Sequence, residues 1–254
     1  MKVLGIDSSS LVASVALVTD EILTAEYTVD FKKTHSQTLL PMLDEIAKLL
    51  DLDLASVDAI AAAAGPGSFT GLRIGAATAK GLGLALKKPL VHVPTVDAMA
   101  YNMWGAAGLV CPIMDAKRSQ VYTGLYHTRS GLQVIMEQCP MDMHELVQLL
   151  NGRGEPVIFL GDGVPVYRGI IEAEMKVPYS FAPAPMNRQR ASSVAALAMS
   201  ALEGGVSGAG DYKGAFVTDA ASFEPDYLRK SQAERQREAE HSQDGQSGKL
   251  PGDY

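Results

Sequence analysis

The fold is decided by the stretch AGPGSFTGLRIG, which occupies residues 64–75. Before it runs an apolar segment of small residues at 57–64, which predicts a strand in the centre of a sheet. After it, residues 71–87 have the composition of a helix, so a strand, a tight Gly-Pro-Gly turn and a helix are expected in that order. Two interpretations of the turn stand: a helix start capped by Ser68 or Thr70, or an anion site at that helix N-terminus.

The predicted helix over 71–87 has an unusual stripe of small residues at every fourth position, formed by Gly71, Gly75, Ala79 and Gly83. Glycine inside a helix costs roughly 1 kcal/mol relative to alanine, so Gly75, Gly81 and Gly83 together cost about 3 kcal/mol. Close approach of another helix or strand is expected to offset this deficit. Arg73, on the same helix, is interpreted either as a cation at a partner interface or as a solvated side chain.

Three strands are predicted upstream of this unit. Residues 2–6 and 12–18 are apolar and rich in β-branched side chains, and 21–30 suggests a third strand. The first two are joined by the polar turn Asp7-Ser8-Ser9-Ser10. That turn is either retained for its geometry or contacts a nucleotide.

A second helix is predicted over 35–50. Thr34 is expected as its N-cap, with Gln37 in the capping-box position. The apolar face of this helix is formed by Leu39, Leu43, Ile46 and Leu50. This face could be buried against the sheet of its own lobe, or it could contact a partner.

From about residue 101 the pattern of strands restarts, which indicates a second lobe in an α/β protein. Strands are expected at 109–114, 120–126, 133–138 and 156–160, and helices before residue 150 and over 194–202. We predict a first lobe over 1–100 and a second over 101–229, with the helix at 193–203 as a candidate to pack back on the first. Residues 230–254 are polar and low in apolar side chains, which predicts a disordered tail.

The composition excludes several classes of protein. The chain of 254 residues has 47% hydrophobic residues and a net charge of −7, which is typical of a globular protein and argues against an autonomous tRNA binder. No apolar run approaches the roughly 20 residues of a membrane-spanning helix, and no signal peptide is expected at the start. A cytoplasmic location is therefore expected. The two cysteines form no CxxC pair, so neither a structural disulfide nor a zinc site is expected.

Two stretches resemble known families. Residues 5–9 with 13–17 resemble the first phosphate hairpin of the actin, Hsp70 and sugar-kinase class. Residues 64–75 closely resemble the signature of the TsaB family, also called YeaZ. Further matching features are His35-Ser36, residues 115–118 and residues 161–164, so the resemblance extends from Lys2 to about residue 229.

The resemblance implies a two-lobed actin-like (ASKHA, ribonuclease H-like) fold, each lobe a mixed sheet with flanking helices. It also implies a degenerate paralogue of the threonylcarbamoyl transferase TsaD that acts as a non-catalytic scaffold and activator. Its complex would form N6-threonylcarbamoyladenosine at position 37 of tRNAs reading codons that begin with A. The implied partners are TsaD, in a heterodimer, and the ATPase TsaE, with tRNA bound only through the complex. Without TsaD, a homodimer through the same helices is expected.

The implied partner-binding residues lie on the two helices of the first lobe. They are His35, Leu39, Leu43, Ile46, Gly71, Leu72, Gly75, Ala79 and Gly83. The candidate vestigial nucleotide contacts are Asp7, Ser8, Ser9 and Ser10. No resident cofactor is expected, and a weak contact with ATP or ADP at the complex interface is the alternative. His35 is interpreted as a capping or surface residue in preference to a catalytic base.

The sequence departs from the transferase pattern where catalysis would need it. Transferase relatives carry a His-x-x-x-His metal pair, whereas here His92 is followed only by Asp97, so no metal site is expected. The second phosphate loop, at 115–118, contains bulky side chains in place of glycines. No catalytic residue is predicted. The alternative functions are an autonomous ATP-binding phosphotransferase of the actin-like class and a peptidase acting on TsaD.

Overall fold

The structure is a computed structural model that describes residues 1–31, 34–204 and 212–228. In chain order the strands are β1 (Lys2–Asp7), β2 (Val12–Thr19), β3 (Ile22–Asp30), β4 (Ala59–Gly65), β5 (Leu90–Pro94), β6 (Leu109–Asp115), β7 (Gln120–His127), β8 (Gln133–Asp142), β9 (Val157–Leu160), β10 (Tyr179–Phe181) and β11 (Phe216–Thr218). The α-helices are α1 (Leu39–Leu49), α2 (Phe69–Leu86), α3 (Thr95–Tyr101), α4 (Met143–Arg153), α5 (Gly163–Glu174) and α6 (Ala191–Leu202). The tail predicted over 230–254 lies outside the described residues.

The strands form two mixed sheets with the same internal order. One sheet runs β11-β5-β4-β1-β2-β3 and the other runs β10-β9-β6-β7-β8. In each, the first three strands along the chain pair antiparallel, and the next two add in parallel on the other side of the first. This repeated topology confirms the prediction of a two-lobed α/β protein with a mixed sheet and flanking helices in each lobe.

The first lobe is completed by the end of the described chain. Helix α6 packs against β1, β2 and β4, and the amide N–H of Ala191 donates to the hydroxyl of Ser14 at 3.0 Å. Gly5 makes this approach feasible, because a Cβ there would lie 2.2 Å from the carbonyl oxygen of Ala191. Strand β11 pairs antiparallel with β5. The helix expected to pack back does so, and residues after it also belong to the first lobe, so the second lobe ends before the predicted residue 229.

The alternation of β1 divides the core of the first lobe into two layers. Val3 faces a cluster that contains α6, whereas Leu4 and Ile6 face the layer that contains α1 and α2. This is the expected consequence of side chains that alternate between the faces of a strand. Among the described residues, no helix is long and apolar enough to cross a membrane.

The start of α1 differs from the prediction. Thr34 precedes a short 3-10 turn at His35–Gln37 and makes no side-chain capping hydrogen bond, so the predicted capping box is wrong. The α-helix begins only after Thr38, which places Pro41 in its first turn, where a missing N–H costs little. Leu50 lies beyond the helix and is partly exposed, so it does not extend the buried face.

Candidate functional site

The turn between β4 and α2 is shaped by three glycines that lie against other segments of the chain. A Cβ on Gly65 would lie 2.4 Å from the carbonyl oxygen of Asp226, and one on Gly67 would lie 2.3 Å from that of Ser9. At Gly71 the distance to the Ser8 carbonyl oxygen would be 2.1 Å. Gly65 also has a φ of +126°, which side chains disfavour. The glycine spacing of the turn is therefore explained by close packing.

Ser68 closes this turn as the N-cap of α2. Its hydroxyl oxygen accepts from the amide of Gly71 at 3.3 Å, and its own amide donates to the carbonyl of Ser9 at 2.6 Å. The capping interpretation is confirmed for Ser68. These two amides are engaged within the protein. Anion binding at this helix N-terminus stays a prediction.

The glycine stripe of α2 faces inward and is filled by the first lobe itself. A Cβ on Gly75 would lie 2.4 Å from the hydroxyl oxygen of Ser8, and one on Gly83 would lie 2.9 Å from a methyl of Leu90. The close approach that offsets the glycine cost thus comes from the turn after β1 and from β5. Leu72 and Ala79 are buried on the same side.

The predicted partner-contact residues lie, with one exception, on the sides of both helices that are buried within the first lobe. The residues buried within the first lobe are Leu39, Leu43, Ile46, Gly71, Leu72, Gly75, Ala79 and Gly83. The physical reason is that each helix covers its own sheet first, and the small residues admit the neighbouring turn. His35 is half-buried; its Nε2 lies 2.7 Å from the carbonyl oxygen of Ser10, and its role toward a partner stays a prediction.

The opposite side of α2 is uncovered. It presents an outer stripe formed by Arg73, Ala77, Gly81 and Leu84. Leu84 is 68% exposed, and no described atom lies within 4 Å of the position that a Cβ on Gly81 would take. The outer side of α1 exposes Leu40 as well. Glycine, alanine and an exposed leucine make this a smooth, weakly polar surface.

The polar turn after β1 satisfies most of its donors internally. The amide and hydroxyl of Ser9 donate to Oδ1 of Asp7 at 2.9 and 2.7 Å. The hydroxyl of Ser8 donates to the carbonyl of Gly71 at 2.9 Å, and that of Ser10 accepts from the amide of Val12. The geometry accounts for all four residues as a packed turn, and nucleotide contact stays a prediction.

Asp7 has one carboxylate oxygen that accepts no hydrogen bond from the described residues. This oxygen, Oδ2, is buried. Burial raises the pKa of its carboxyl to about 6, although the hydrogen bonds from Ser9 act in the opposite direction. A proton on Asp7 would remove the cost of an isolated buried charge.

A cleft of about 630 Å³ separates the lobes at this point. Asp115 and Lys117, from the turn between β6 and β7, line the cleft opposite Ser10. The carboxylate of Asp115 accepts from the amide and ammonium of Lys117 and from the hydroxyl of Tyr167. The side chains of this second loop therefore occupy part of the cleft.

The candidate metal residues are engaged by separate neighbours. His92 lies 3.1 Å from the carboxylate of Asp226, and its ring stacks on Phe216. Asp97 accepts hydrogen bonds from the hydroxyls of Tyr126 and Tyr212, each at 2.6 Å. Within the described ranges, no three His, Cys, Asp or Glu side chains gather as metal ligands.

Two structurally important contacts carried no signal in the sequence. The amide group of Gln138, in the second lobe, donates to the carbonyl of Gly65 and accepts from the amide of Val96. From the end of the described chain, Asp226 reaches the same turn, where its amide donates to the carbonyl of Ala64 at 2.7 Å. Both partners lie more than 70 residues away in sequence, so no local pattern could reveal them.

Two lobes share the same order of five strands, and the polar turn after β1 is closed by its own hydrogen bonds at the cleft between them. This arrangement defines a protein of the actin-like class whose cleft is partly occupied by its own side chains. The family of tRNA N6-adenosine threonylcarbamoyltransferase, TsaD, matches residues 29–237. The TsaB protein of Bacillus subtilis is 34% identical over 236 residues, which is 92% of this chain and 96% of that one. The chain therefore belongs to the TsaB family of tRNA threonylcarbamoyladenosine biosynthesis proteins.

Further comparisons agree with this family. The TsaB protein of Escherichia coli is 33% identical over 162 residues, which cover 60% of this chain and 68% of that one. The solved structure of YeaZ from Pseudomonas aeruginosa superimposes with a TM-score of 0.72 at 25% identity. That alignment covers 89% of this chain and 99% of the solved one, so both lobes are shared.

Proposed function

We propose that the protein is a non-catalytic scaffold and activator in the formation of threonylcarbamoyladenosine at position 37 of tRNA. In this role it pairs with the related transferase TsaD and helps to recruit the ATPase TsaE. Membership of the TsaB family supports a part in this biosynthesis. The pairing, the recruitment and the absence of catalysis are the proposed steps.

The outer stripe of α2 carries this proposal. Gly81 lies in mid-helix and costs roughly 1 kcal/mol relative to alanine. Unlike Gly71, Gly75 and Gly83, it has no close neighbour among the described residues that its missing side chain admits. A helix of a partner packed on the stripe would supply that neighbour, because small residues permit close approach of two helices. The exposed Leu84 would be buried in the same contact.

The internal contacts of the cleft support a non-catalytic role. A phosphotransferase of the actin-like class needs donors in its first turn that are directed at phosphate. Here the hydroxyls of Ser8 and Ser9 donate to Gly71 and Asp7. The second turn is occupied by the ion pair of Lys117 with Asp115. A ligand would have to displace these contacts before phosphate could bind.

A serine or cysteine peptidase of the triad type needs a histidine beside its hydroxyl or thiol nucleophile. His92, His127 and His144 instead lie against carboxylates, and His35 contacts a backbone carbonyl. No contact in the described part of the chain favours this alternative over the scaffold.

The test is titration calorimetry of the chain with purified TsaD, together with light scattering to measure the mass of the complex. Gly81→Leu is the test variant, and Gly169→Leu in α5 is its matched control, because both glycines are helical and have open space around them. We expect a one-to-one complex that Gly81→Leu weakens by about tenfold or more, with Gly169→Leu unchanged. Circular dichroism checks that both variants remain folded.

A functional readout separates scaffold from enzyme. In a reconstituted reaction with TsaD, TsaE and ATP, threonylcarbamoyladenosine formation should fall in parallel with the affinity of the Gly81→Leu variant. A wild-type chain that does not associate with TsaD would refute the proposal. Turnover of ATP or cleavage of TsaD by the chain alone would replace it with one of the two enzymatic alternatives.

A further inference from the structure

A C-terminal segment, residues 219–228, is fixed along the first lobe by contacts distant in sequence. Phe223 is buried in the core layer that contains α1 and α2. The ammonium group of Lys80, on α2, donates to the carbonyls of Ala221 and Phe223, both at 3.1 Å. The segment is therefore attached to α2 along the side next to the outer stripe.

Asp226 fixes the last part of this segment. Its amide donates to the carbonyl of Ala64, and its carboxylate lies 3.1 Å from Nε2 of the buried His92. Its own carbonyl occupies the space beside Gly65 that a side chain there would fill. These contacts determine where the next residue, Tyr227, must lie.

Tyr227 packs on the first turn of α2. Its ring centroid lies 4.8 Å from that of Phe69, and the guanidinium of Arg73 lies 4.1 Å from the same Phe69 centroid. Tyr227 is nevertheless 41% exposed, and Leu228 beside it is also exposed. The result is an aromatic cluster on the surface, formed by Phe69, Arg73, Tyr227 and Leu228. It is continuous with the outer stripe through Arg73.

Arg73 gives this cluster a specific chemistry. Helix α2 contains no acidic residue, and its other cation, Lys80, is bound to carbonyls of the C-terminal segment. No carboxylate of the described chain forms an ion pair with Arg73. Arginine and tyrosine are among the residues that most often dominate binding energy at protein interfaces. A guanidinium can also pair with a carboxylate in bidentate geometry.

We infer that the aromatic cluster is a second contact area for the TsaD partner, and that it receives a carboxylate side chain of that partner on Arg73. This inference rests on the proposed function, because it assumes that the outer stripe is covered by the same subunit. The C-terminal segment then contributes directly to partner recognition. Its contacts with Lys80, Ala64 and His92 hold Tyr227 in place before the partner arrives, which reduces the entropy lost on binding.

The experiment measures binding of the full chain to TsaD by titration calorimetry for two variants and two matched controls. Tyr227→Ala is compared with Tyr27→Ala on β3, since these tyrosines are 41% and 42% exposed. Arg73→Ala is compared with Arg168→Ala on α5, whose guanidinium lies over Phe181 at 4.2 Å, against 4.1 Å for Arg73 over Phe69. Each pair therefore removes the same kind of exposed group from two different surfaces.

We expect each test variant to weaken binding by about tenfold and each control by less than about twofold. Raising the salt from about 50 mM to about 300 mM should weaken the wild type more than Arg73→Ala, because the variant lacks the ion pair. Tyr227→Phe should restore most of the affinity. Circular dichroism melts confirm that the variants are folded.

The outcomes distinguish this inference from the proposed function. If Gly81→Leu loses binding while Tyr227→Ala and Arg73→Ala bind like wild type, the cluster is not a contact area and the scaffold role stands. If the wild type does not bind TsaD, both proposals fail. If the binding of wild type and of Arg73→Ala depends equally on salt, Arg73 does not pair with a carboxylate of TsaD. That result would refute this part of the inference even if both test variants bind weakly.

Discussion

Replacing Gly71 by alanine tests whether the glycine stripe of α2 is explained by contacts inside the first lobe. The added Cβ would lie 2.1 Å from the backbone carbonyl oxygen of Ser8, so the turn after β1 would have to retreat by more than 1 Å to reach ordinary contact at 3.4 Å. Overpacking of this kind costs up to about 3 kcal/mol, and disturbing the hydrogen bond from Ser8 to Gly71 adds about 1 kcal/mol. The higher helix propensity of alanine offsets at most about 1 kcal/mol of this cost. We expect a net loss of about 2–3 kcal/mol in the free energy of unfolding.

Gly81→Ala is the matched substitution, in the same helix but facing open space. Only the higher helix propensity of alanine should matter there, so the free energy of unfolding of this variant should rise by about 1 kcal/mol. For a chain of this size, each kcal/mol shifts the melting temperature by about 2–4 °C. The melting temperature should therefore fall by about 5–10 °C for Gly71→Ala and rise by about 2–4 °C for Gly81→Ala. Urea titrations at two protein concentrations provide the free energies and reveal any contribution from self-association. If Gly71→Ala were as stable as Gly81→Ala, the packing explanation of the stripe would be refuted.

Three further predictions concern individual side chains. The pKa of Asp7 is raised to about 6 from 3.8, so the folded state retains a proton that the unfolded chain releases. Stability relative to Asp7→Asn should therefore fall by about 2 kcal/mol as the pH rises from about 4 to about 7, and urea midpoints that stay parallel would contradict this. Burial raises the pKa of the Cys111 thiol to about 12. In the folded protein, Ellman's reagent should therefore label only Cys139, which is less buried. Rapid labelling of both thiols before unfolding would contradict this prediction. Glu26→Ala should lower the unfolding free energy by about 1–3 kcal/mol, because its carboxylate accepts from the amide and hydroxyl of Ser192 at the start of α6; an unchanged urea midpoint would argue against that role.

The fold was predictable where its determinants are local. The apolar segment before Gly65, the Gly-Pro-Gly turn and the capping serine lie within a dozen residues of one another, and strand, turn, cap and helix all form as expected. The same reasoning was wrong at Thr34, where a plausible capping box is overridden. There the chain makes a 3-10 turn before Thr38, and α1 begins later than predicted.

The surface of the candidate site was less predictable, because a helix pattern does not say which neighbour it fits. The cost of glycine in α2 correctly indicated a close neighbour, yet that neighbour is Ser8, which lies 63 residues before Gly71. The prediction assigned the space to a partner. The contact between Lys80 and Phe223 spans 143 residues, so the position of the C-terminal segment could be learned only from the structure.

The first lobe is split in sequence, and this has a consequence for how the protein is made. All strands of the second sheet lie between Leu109 and Phe181, so a chain emerging from the ribosome contains that whole sheet before α6 and β11 exist. Until those later residues are synthesised, the first sheet has no β11 paired to the edge of β5, and its core lacks Phe223. The lobe that is synthesised first is therefore completed last. A nascent chain that stalls before Phe216 lacks β11 and Tyr227, and so lacks part of the surface that the proposed partner contacts.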